Sequence, residues 1–202
     1  MVRHWLEAQR GFHLVEVVVV MAISALVLAW SVPPLLNLSR QLRVEMAAHE
    51  LMGVLRTARA TAVQHSANVG LKFYPSSGRR VSYVLYRDGD GDGVRTKDIE
   101  AGIDPPLSLP RELAHFGSTA FFGFPPGPAP RDPGNPRRRL RNLDDPIRFN
   151  NSNLASFSSL GGSTPGSLYL TDGHRELAVV RVFGRTGKVK VMLYDRESET
   201  WR

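Results

Sequence analysis

The chain contains no cysteine among its 202 residues. It therefore cannot form a disulfide, bind a metal through thiolates or use a cysteine nucleophile. Its six histidines are scattered and lack the short spacings that metal ligands show. The G-x-S-x-G, H-E-x-x-H and Walker motifs are also missing from the sequence. These absences exclude a disulfide scaffold and predict that the protein is not an enzyme.

Acidic residues are fewer than basic ones, with 19 aspartates and glutamates against 26 lysines and arginines, for a formal net charge of +7. A hydrophobic content of 42% and a charged content of 22% are ordinary for a folded chain. The length suits one modest domain with appendages. A basic excess dispersed over this length is only a weak indication of nucleic acid or anionic lipid as a partner.

One long apolar run occupies residues 12–32, after a short polar segment at residues 1–11. About 20 helical residues cross the hydrocarbon layer of a bilayer, so the run predicts a membrane-spanning helix. Glu16 is the single residue of the run that is charged at neutral pH. A carboxylate in hydrocarbon is costly and usually marks function, although a protonated acid tolerated near the interface is the alternative interpretation.

The residues after the apolar run decide whether the helix ends or continues. Pro33 and Pro34 could end it or kink it. Apolar residues then recur at alternating spacings of four and three, which is typical of an amphipathic helix and favours continuation to about residue 66. This predicted stripe consists of Val44, Ala48, Leu51, Leu55, Ala58 and Ala62. The sequence thus predicts one helix with an apolar half at 12–32 and an amphipathic half at 33–66.

The hydrophobic period changes to two after Asn68, which predicts a β-rich head over residues 67–202. The predicted strands cover 69–74, 81–86, 167–170, 177–183 and 188–194, with a further short strand at 147–150. Asp172-Gly173 and the segment 184–187 are hairpin signals between the later strands. An antiparallel sheet packed against one helix is an α+β fold.

A proline-rich segment separates the two sets of predicted strands. Half of the 14 prolines lie between residues 125 and 146, so we predict an exposed loop over about 117–146 rather than a central strand. The loop contains the basic run Arg137–Arg141. We interpret this run as a solvated cluster balanced by Asp144 and Asp145, with contact to phosphates as the alternative.

Alternating aspartates and glycines at residues 88–93 form the most suggestive polar motif. Asp88, Asp90 and Asp92 could converge on a hard cation such as calcium, with Asp98 or Glu100 completing the set. The EF-hand pattern requires a glutamate where this chain has Ile99, so the register fails by one residue. A calcium site and a flexible acidic turn both remain open at this point. Apart from calcium, the sequence predicts no cofactor.

The segment from Gly11 to Glu16, with its polar leader and apolar run, resembles the type IV prepilin signal. His13 departs from the pattern, which more often has threonine or serine there. The resemblance implies that prepilin peptidase cleaves between Gly11 and Phe12 and methylates the new amine of Phe12. It also implies that Glu16 pairs with the Phe12 amine of a neighbouring subunit during filament assembly.

Three head segments are similar to the GspH/FimT group of pseudopilins: ARATAVQHSANVGLKF, VLYRDGDGDGVRTKDIEAGID and GSLYLTDGHRELAVVRVFGRTGKVKV. The resemblance implies a type IV pilin-like fold and a minor pilin-like subunit of a type II secretion pseudopilus or of a related type IV pilus. Such a subunit is anchored by a single pass in the bacterial inner membrane, with its head in the periplasm. Its implied partners are prepilin peptidase and other pilins or pseudopilins.

A minor type IV pilin that binds DNA for uptake is the alternative function. The residues that would contact DNA are basic ones near the last predicted hairpin, where strand alternation places Lys188 and Lys190 on the same side. The predicted set is Arg181, Arg185, Lys188 and Lys190.

Overall fold

The computed structural model of the protein describes residues 14–76, 79–113, 120–150 and 152–202, with the side chains of all of these except 31–38. The chain divides into two units, residues 1–39 and 40–202. The predicted leader at 1–11 and the cleavage point between Gly11 and Phe12 lie outside the described residues.

Helix α1 (Leu14–Gln64) extends through both units. It continues through Pro33 and Pro34, so the prolines do not end it. In the first unit the apolar side chains of residues 14–30 are exposed. Among the helices of the described residues, none has the combined length and hydropathy expected of a membrane span.

The second unit adds a short helix and a series of strands to the end of α1. In chain order they are β1 (Val69–Pro75), β2 (Val81–Arg87), α2 (Thr96–Glu100), β3 (Arg111–Glu112), β4 (Phe121–Phe122), β5 (Arg131–Asp132), β6 (Asn135–Arg139), β7 (Ile147–Arg148), β8 (Leu154–Phe157), β9 (Gly166–Thr171), β10 (Leu177–Phe183), β11 (Lys188–Asp195) and β12 (Thr200–Trp201). This helix-and-sheet content confirms the α+β prediction. The predicted strand at 147–150 is reduced to β7, because Phe149 turns back to bridge Ser152.

The strands form antiparallel sheets. One has the order β3-β2-β1-β8, and a larger one has the order β12-β11-β10-β9-β4, with β7 also paired to β9. Strands β5 and β6 form a separate two-stranded sheet. Consecutive strands β9, β10 and β11 are joined as hairpins, as the turn signals predict.

The main core lies between α1 and the two larger sheets. All six residues of the predicted helical stripe are buried, with at most 1% of each residue exposed. They share one cluster with Leu71 and Phe73 of β1 and with alternate residues of β10. The amphipathic pattern therefore marks the side of the helix that the sheets cover.

Strand β10 is buried on both of its faces. Ala178 and Val180 belong to the main core, whereas Leu177 and Val179 belong to a second cluster on the opposite face. A strand covered on both faces has no need of polar residues at alternate positions, which explains the uninterrupted apolar run at its start.

The proline-rich segment, which is described from residue 120 onward, covers part of the second face, and this corrects the prediction of an exposed loop except at β6, whose residues are all exposed. It contains β4, β5 and β6, and it contributes Phe124 and Leu140 to the second cluster. The indole nitrogen of Trp201 donates a hydrogen bond to the Arg131 carbonyl at 2.7 Å and ties β5 to the end of the chain. The prolines exclude a central strand, as expected, but they do not prevent a small sheet from docking.

Candidate functional site

Glu16 lies in the first turn of α1 and is exposed. Its neighbours Val15 and Val17 are exposed apolar residues. Glu16 therefore presents an acid on an apolar surface, an arrangement that suits pairing with a cation. Phe12, which supplies the cation in the predicted pairing, lies outside the described residues.

The acidic loop brings together only part of the predicted calcium set. Carboxylate oxygens of Asp88, Asp90 and Asp104 all lie within 4.8 Å of one another. Asp92 instead forms an ion pair with Arg95. Asp98 is buried in α2 and lies outside this group.

Asp88 organises the turn by accepting hydrogen bonds. Its carboxylate accepts the backbone N–H groups of Gly91 at 2.8 Å and Gly93 at 3.0 Å, and the side-chain amide of Asn68 at 2.6 Å. Burial raises the pKa of Asp88, but the hydrogen bonds from Asn68 and the backbone outweigh this effect and lower the pKa overall. The carboxylate is thus the acceptor around which the turn folds.

Asp104 closes the other end of the same loop, and sequence reasoning missed it. Only 1% of the residue is exposed. Its two oxygens accept the backbone N–H groups of Gly89 and Arg95, each at 3.0 Å. The sequence offers one signal for the role of Asp104, which is its position as an acid at the end of the loop. These bonds give the aspartates a structural role, and calcium binding by the loop stays a prediction.

The basic residues predicted near the last hairpin lie largely on one face. Arg181 of β10 is directly opposite Lys190 of β11, and Phe183 is opposite Lys188. The Arg181 guanidinium lies 5.3 Å from the centroid of the Phe183 ring. Arg185 is exposed in the turn between the strands. The register therefore groups Arg181, Lys188 and Lys190 into one basic strip.

Further arginines surround two adjoining cavities of about 540 and 360 Å³. Both cavities are lined by Asp132, Leu140 and Arg148. The larger is also lined by Arg138, Arg139 and Arg141, and the smaller by Arg181. We call this region the arginine cavity. Sequence reasoning identified Arg181 and the basic run, but not that they meet.

Arg148 lines the arginine cavity and is held by aromatic and backbone contacts. Its guanidinium lies 5.5 Å from the ring centroid of Phe124 and 5.2 Å from that of Tyr169. It donates hydrogen bonds to the carbonyls of Asp145 and Arg141, both at 2.8 Å. Burial raises the pKa of Tyr169 to about 12, so its hydroxyl stays neutral. Arg148 supplies fixed positive charge.

Glu199 holds two other arginines. Its Oε2 accepts hydrogen bonds from Nε of Arg131 at 3.0 Å and from Nη2 at 2.7 Å, and its Oε1 pairs with Arg139. Hydrogen bonds from Arg139 and Arg131 lower the pKa of Glu199. Arg139 thus pairs with Glu199 rather than with the predicted Asp144 or Asp145, which corrects that part of the sequence interpretation.

Arg138 and Arg141 differ from Arg139. Both are exposed, and no carboxylate of the described residues lies within ion-pair distance of either. Both are available to a ligand.

Comparison with known proteins bears on the amino terminus. Residues 7–32 match the family model of the prokaryotic N-terminal methylation motif. The match identifies a prepilin-type signal. This prepilin-type signal supports a type IV pilin-like protein, a class of structural subunits that prepilin peptidase processes and that assemble with other pilins. No curated protein and no solved structure matches the chain.

Proposed function

We propose that the protein is a minor pseudopilin of a type II secretion system, of the GspH/FimT kind. The observation that carries this proposal is a prepilin-type signal at residues 7–32 that runs directly into α1, whose second half forms the core of an α+β head. The similarity of three head segments to GspH/FimT pseudopilins supports the finer assignment. The subunit is anchored in the inner membrane, with its head in the periplasm, and functions by assembly.

Processing prepares the subunit for assembly. Cleavage after Gly11 frees the amine of Phe12, which prepilin peptidase then methylates. In a low-dielectric bundle of helices, this cation attracts the Glu16 carboxylate of a neighbouring subunit far more strongly than it would in water. The carboxylate is costly in lipid and is stabilised once paired, so it favours addition of the subunit to the filament.

Mass spectrometry of the mature protein tests the processing step. Co-expression with prepilin peptidase should give a protein that begins at a methylated Phe12. The chain expressed without the peptidase, and a Gly11→Leu variant expressed with it, should keep Met1. Mature filaments in which wild-type chains retain Met1 would contradict the proposal.

Deletion of the gene in its own bacterium distinguishes the secretion system from the alternatives. For a pseudopilin, the deletion should remove a set of proteins from the culture medium and leave DNA uptake intact. Expression of the wild-type chain should restore secretion. An unchanged extracellular proteome would overturn the secretion assignment.

A second candidate function is a minor pilin that binds DNA for uptake. The observation that favours it is the basic strip, in which Arg181 faces Lys190 across adjacent strands and Arg185 lies at the adjoining turn. If the strip binds DNA, a Lys188→Gln/Lys190→Gln variant should bind DNA more weakly. Its affinity should also depend less steeply on salt, with the magnitude of the slope of log affinity against log salt reduced by about two. Absence of DNA binding by the wild-type protein at low salt would exclude this candidate.

A further inference from the structure

The arginine cavity holds positive charge that the described part of the head does not neutralise. Arg138 and Arg141 have no carboxylate within ion-pair distance among the described residues. The acid that lines the cavity, Asp132, accepts the Gly134 amide at 2.7 Å. Arg148 adds a charge that its own hydrogen bonds hold in place. The cavity therefore attracts an anionic ligand.

The shape of the arginine cavity favours discrete carboxylates over a nucleic-acid backbone. Its arginines line concave spaces of about 540 and 360 Å³, which a DNA duplex cannot enter. Asp132 lines both spaces and adds a negative charge that any anionic ligand must avoid. Separate carboxylates on a flexible chain can avoid Asp132 and still reach the arginines. The planar guanidinium groups match carboxylates through paired hydrogen bonds.

Strand β6 offers a backbone edge beside these arginines. It is exposed along its whole length and, among the described strands, pairs only with β5. Two of its five residues offer no free N–H, because Pro136 has none and that of Arg137 donates to Oδ1 of Asn135 at 3.2 Å, so an added peptide would bond to the remaining N–H and C=O groups. An extended peptide can add to such an edge through main-chain hydrogen bonds, while its alternate side chains point to one face. Charge and edge together fit an extended acidic segment.

We infer that the arginine cavity binds an extended, acidic segment of a partner protein. Arg138 and Arg141 bind the carboxylates of the segment. Arg148 and Arg181 add positive charge that attracts the segment to the cavity. This interaction goes beyond filament assembly, because the contact proposed for assembly involves Glu16 and Phe12 at the other end of the chain. It does not depend on which filament the subunit joins.

Fluorescence anisotropy of the full-length protein in detergent, with a labelled octaglutamate peptide as the probe, tests the inference. The peptide should bind saturably and weaken between about 50 and 200 mM salt, and an octaglutamine peptide should not bind. An Arg138→Gln/Arg141→Gln variant should lose about tenfold or more in affinity. The matched control is Lys188→Gln/Lys190→Gln, which removes the same charge from the basic strip and should retain most of the affinity.

Hydrogen exchange on the wild-type protein tests the inference without a variant, so misfolding of a variant cannot affect the result. Octaglutamate should slow amide exchange in β6 and leave the amides of α1 unchanged. Equal losses of affinity in the two double variants, or no added protection in β6, would overturn the inference. Duplex DNA that binds more tightly than octaglutamate, and that loses affinity through Arg138 and Arg141, would identify nucleic acid as the occupant instead and overturn it as well.

Discussion

Gly53 and Gly89 illustrate how the surroundings of a residue decide the effect of one added carbon. Gly53 is exposed on α1, and nothing lies within 4 Å of where a Cβ would be. Glycine in a helix costs about 0.5–1 kcal/mol relative to alanine, so Gly53→Ala should raise the free energy of unfolding by that amount. A Cβ on Gly89 would instead overlap the Ile103 carbonyl oxygen. Gly89→Ala should lower it by about 1–3 kcal/mol. Denaturant unfolding of the two variants checks the difference, and equal effects would contradict it.

Asp104 provides a second prediction at the residue scale. Both of its oxygens accept backbone N–H groups in a buried position, so Asp104→Asn removes one acceptor and leaves a buried donor unpaired. We expect the free energy of unfolding to fall by about 1–3 kcal/mol. The exposed Asp90→Asn variant is the control and should change it by about 0.5 kcal/mol or less. Similar losses in both variants would show that Asp104 does not close the loop.

The same loop can be titrated with calcium by calorimetry. Heat that disappears in the Asp90→Asn variant, which should keep the turn folded, would support the calcium prediction. A flat trace for the wild-type protein would show that the loop is an acidic turn.

At the scale of elements, Glu199 holds the small sheet of β5 and β6 against the end of the chain. The pKa of Glu199 is lowered in the folded protein. Its ion pairs therefore stabilise the β5–β6 sheet above the usual pKa of a glutamate, and this stabilisation is lost as the pH falls through the lowered pKa. The Leu140 N–H donates to the Pro130 carbonyl at 2.8 Å. At neutral pH, Glu199→Gln should therefore speed hydrogen exchange of this amide. The difference from wild type should disappear in acid.

The control for Glu199 is Glu197→Gln. Glu197 is exposed and forms its ion pair with Arg175, which does not belong to the β5–β6 sheet. This variant should leave exchange of the Leu140 amide unchanged at every pH. An exchange difference for Glu199→Gln that persists in acid would mean that the ion pair is not its cause.

Local patterns predict some elements and not others. Strand β10 has the bounds that its apolar run and flanking turns predict, 177–183. Strand β8 (Leu154–Phe157) is missing from the prediction because its four residues carry little local signal, and its pairing with β1 defines it. Local patterns predict an exposed loop for the proline-rich segment, because nothing local shows that the second face of β10 needs a cover.

At the scale of the whole molecule, the sequence predicts those sites whose residues all lie in one short segment. The prepilin-type signal lies within one stretch of sequence, and the family match over residues 7–32 confirms the signal. The roles of Gly11 and Glu16 within it stay predictions. The arginine cavity instead joins the segment 132–148 to Arg181, which the chain reaches only after two more strands. A single sequence contains no signal for such a long-range contact.

The last prediction concerns assembly of the full-length protein. A Glu16→Leu variant makes the apolar half of α1 more compatible with lipid, since an acid in hydrocarbon is costly. It should therefore fractionate with membranes at least as well as wild type. If Glu16 pairs as proposed, assembly should fail, because the Phe12 amine of a neighbouring subunit would be left without its carboxylate, and breaking one side of a buried ion pair costs about 3–5 kcal/mol. Crosslinking to partner pilins, measured beside membrane fractionation, checks both expectations.

A Val15→Leu variant is the control for this experiment, because it alters an exposed apolar neighbour without changing the charge. It should retain both the membrane fraction and the crosslinks. If Glu16→Leu also kept crosslinks at the wild-type level, the carboxylate would be dispensable for assembly. If it left the membrane fraction, Glu16 would act in anchoring. Only retention in the membrane together with loss of crosslinks fits a carboxylate whose partner is the amine of the next subunit.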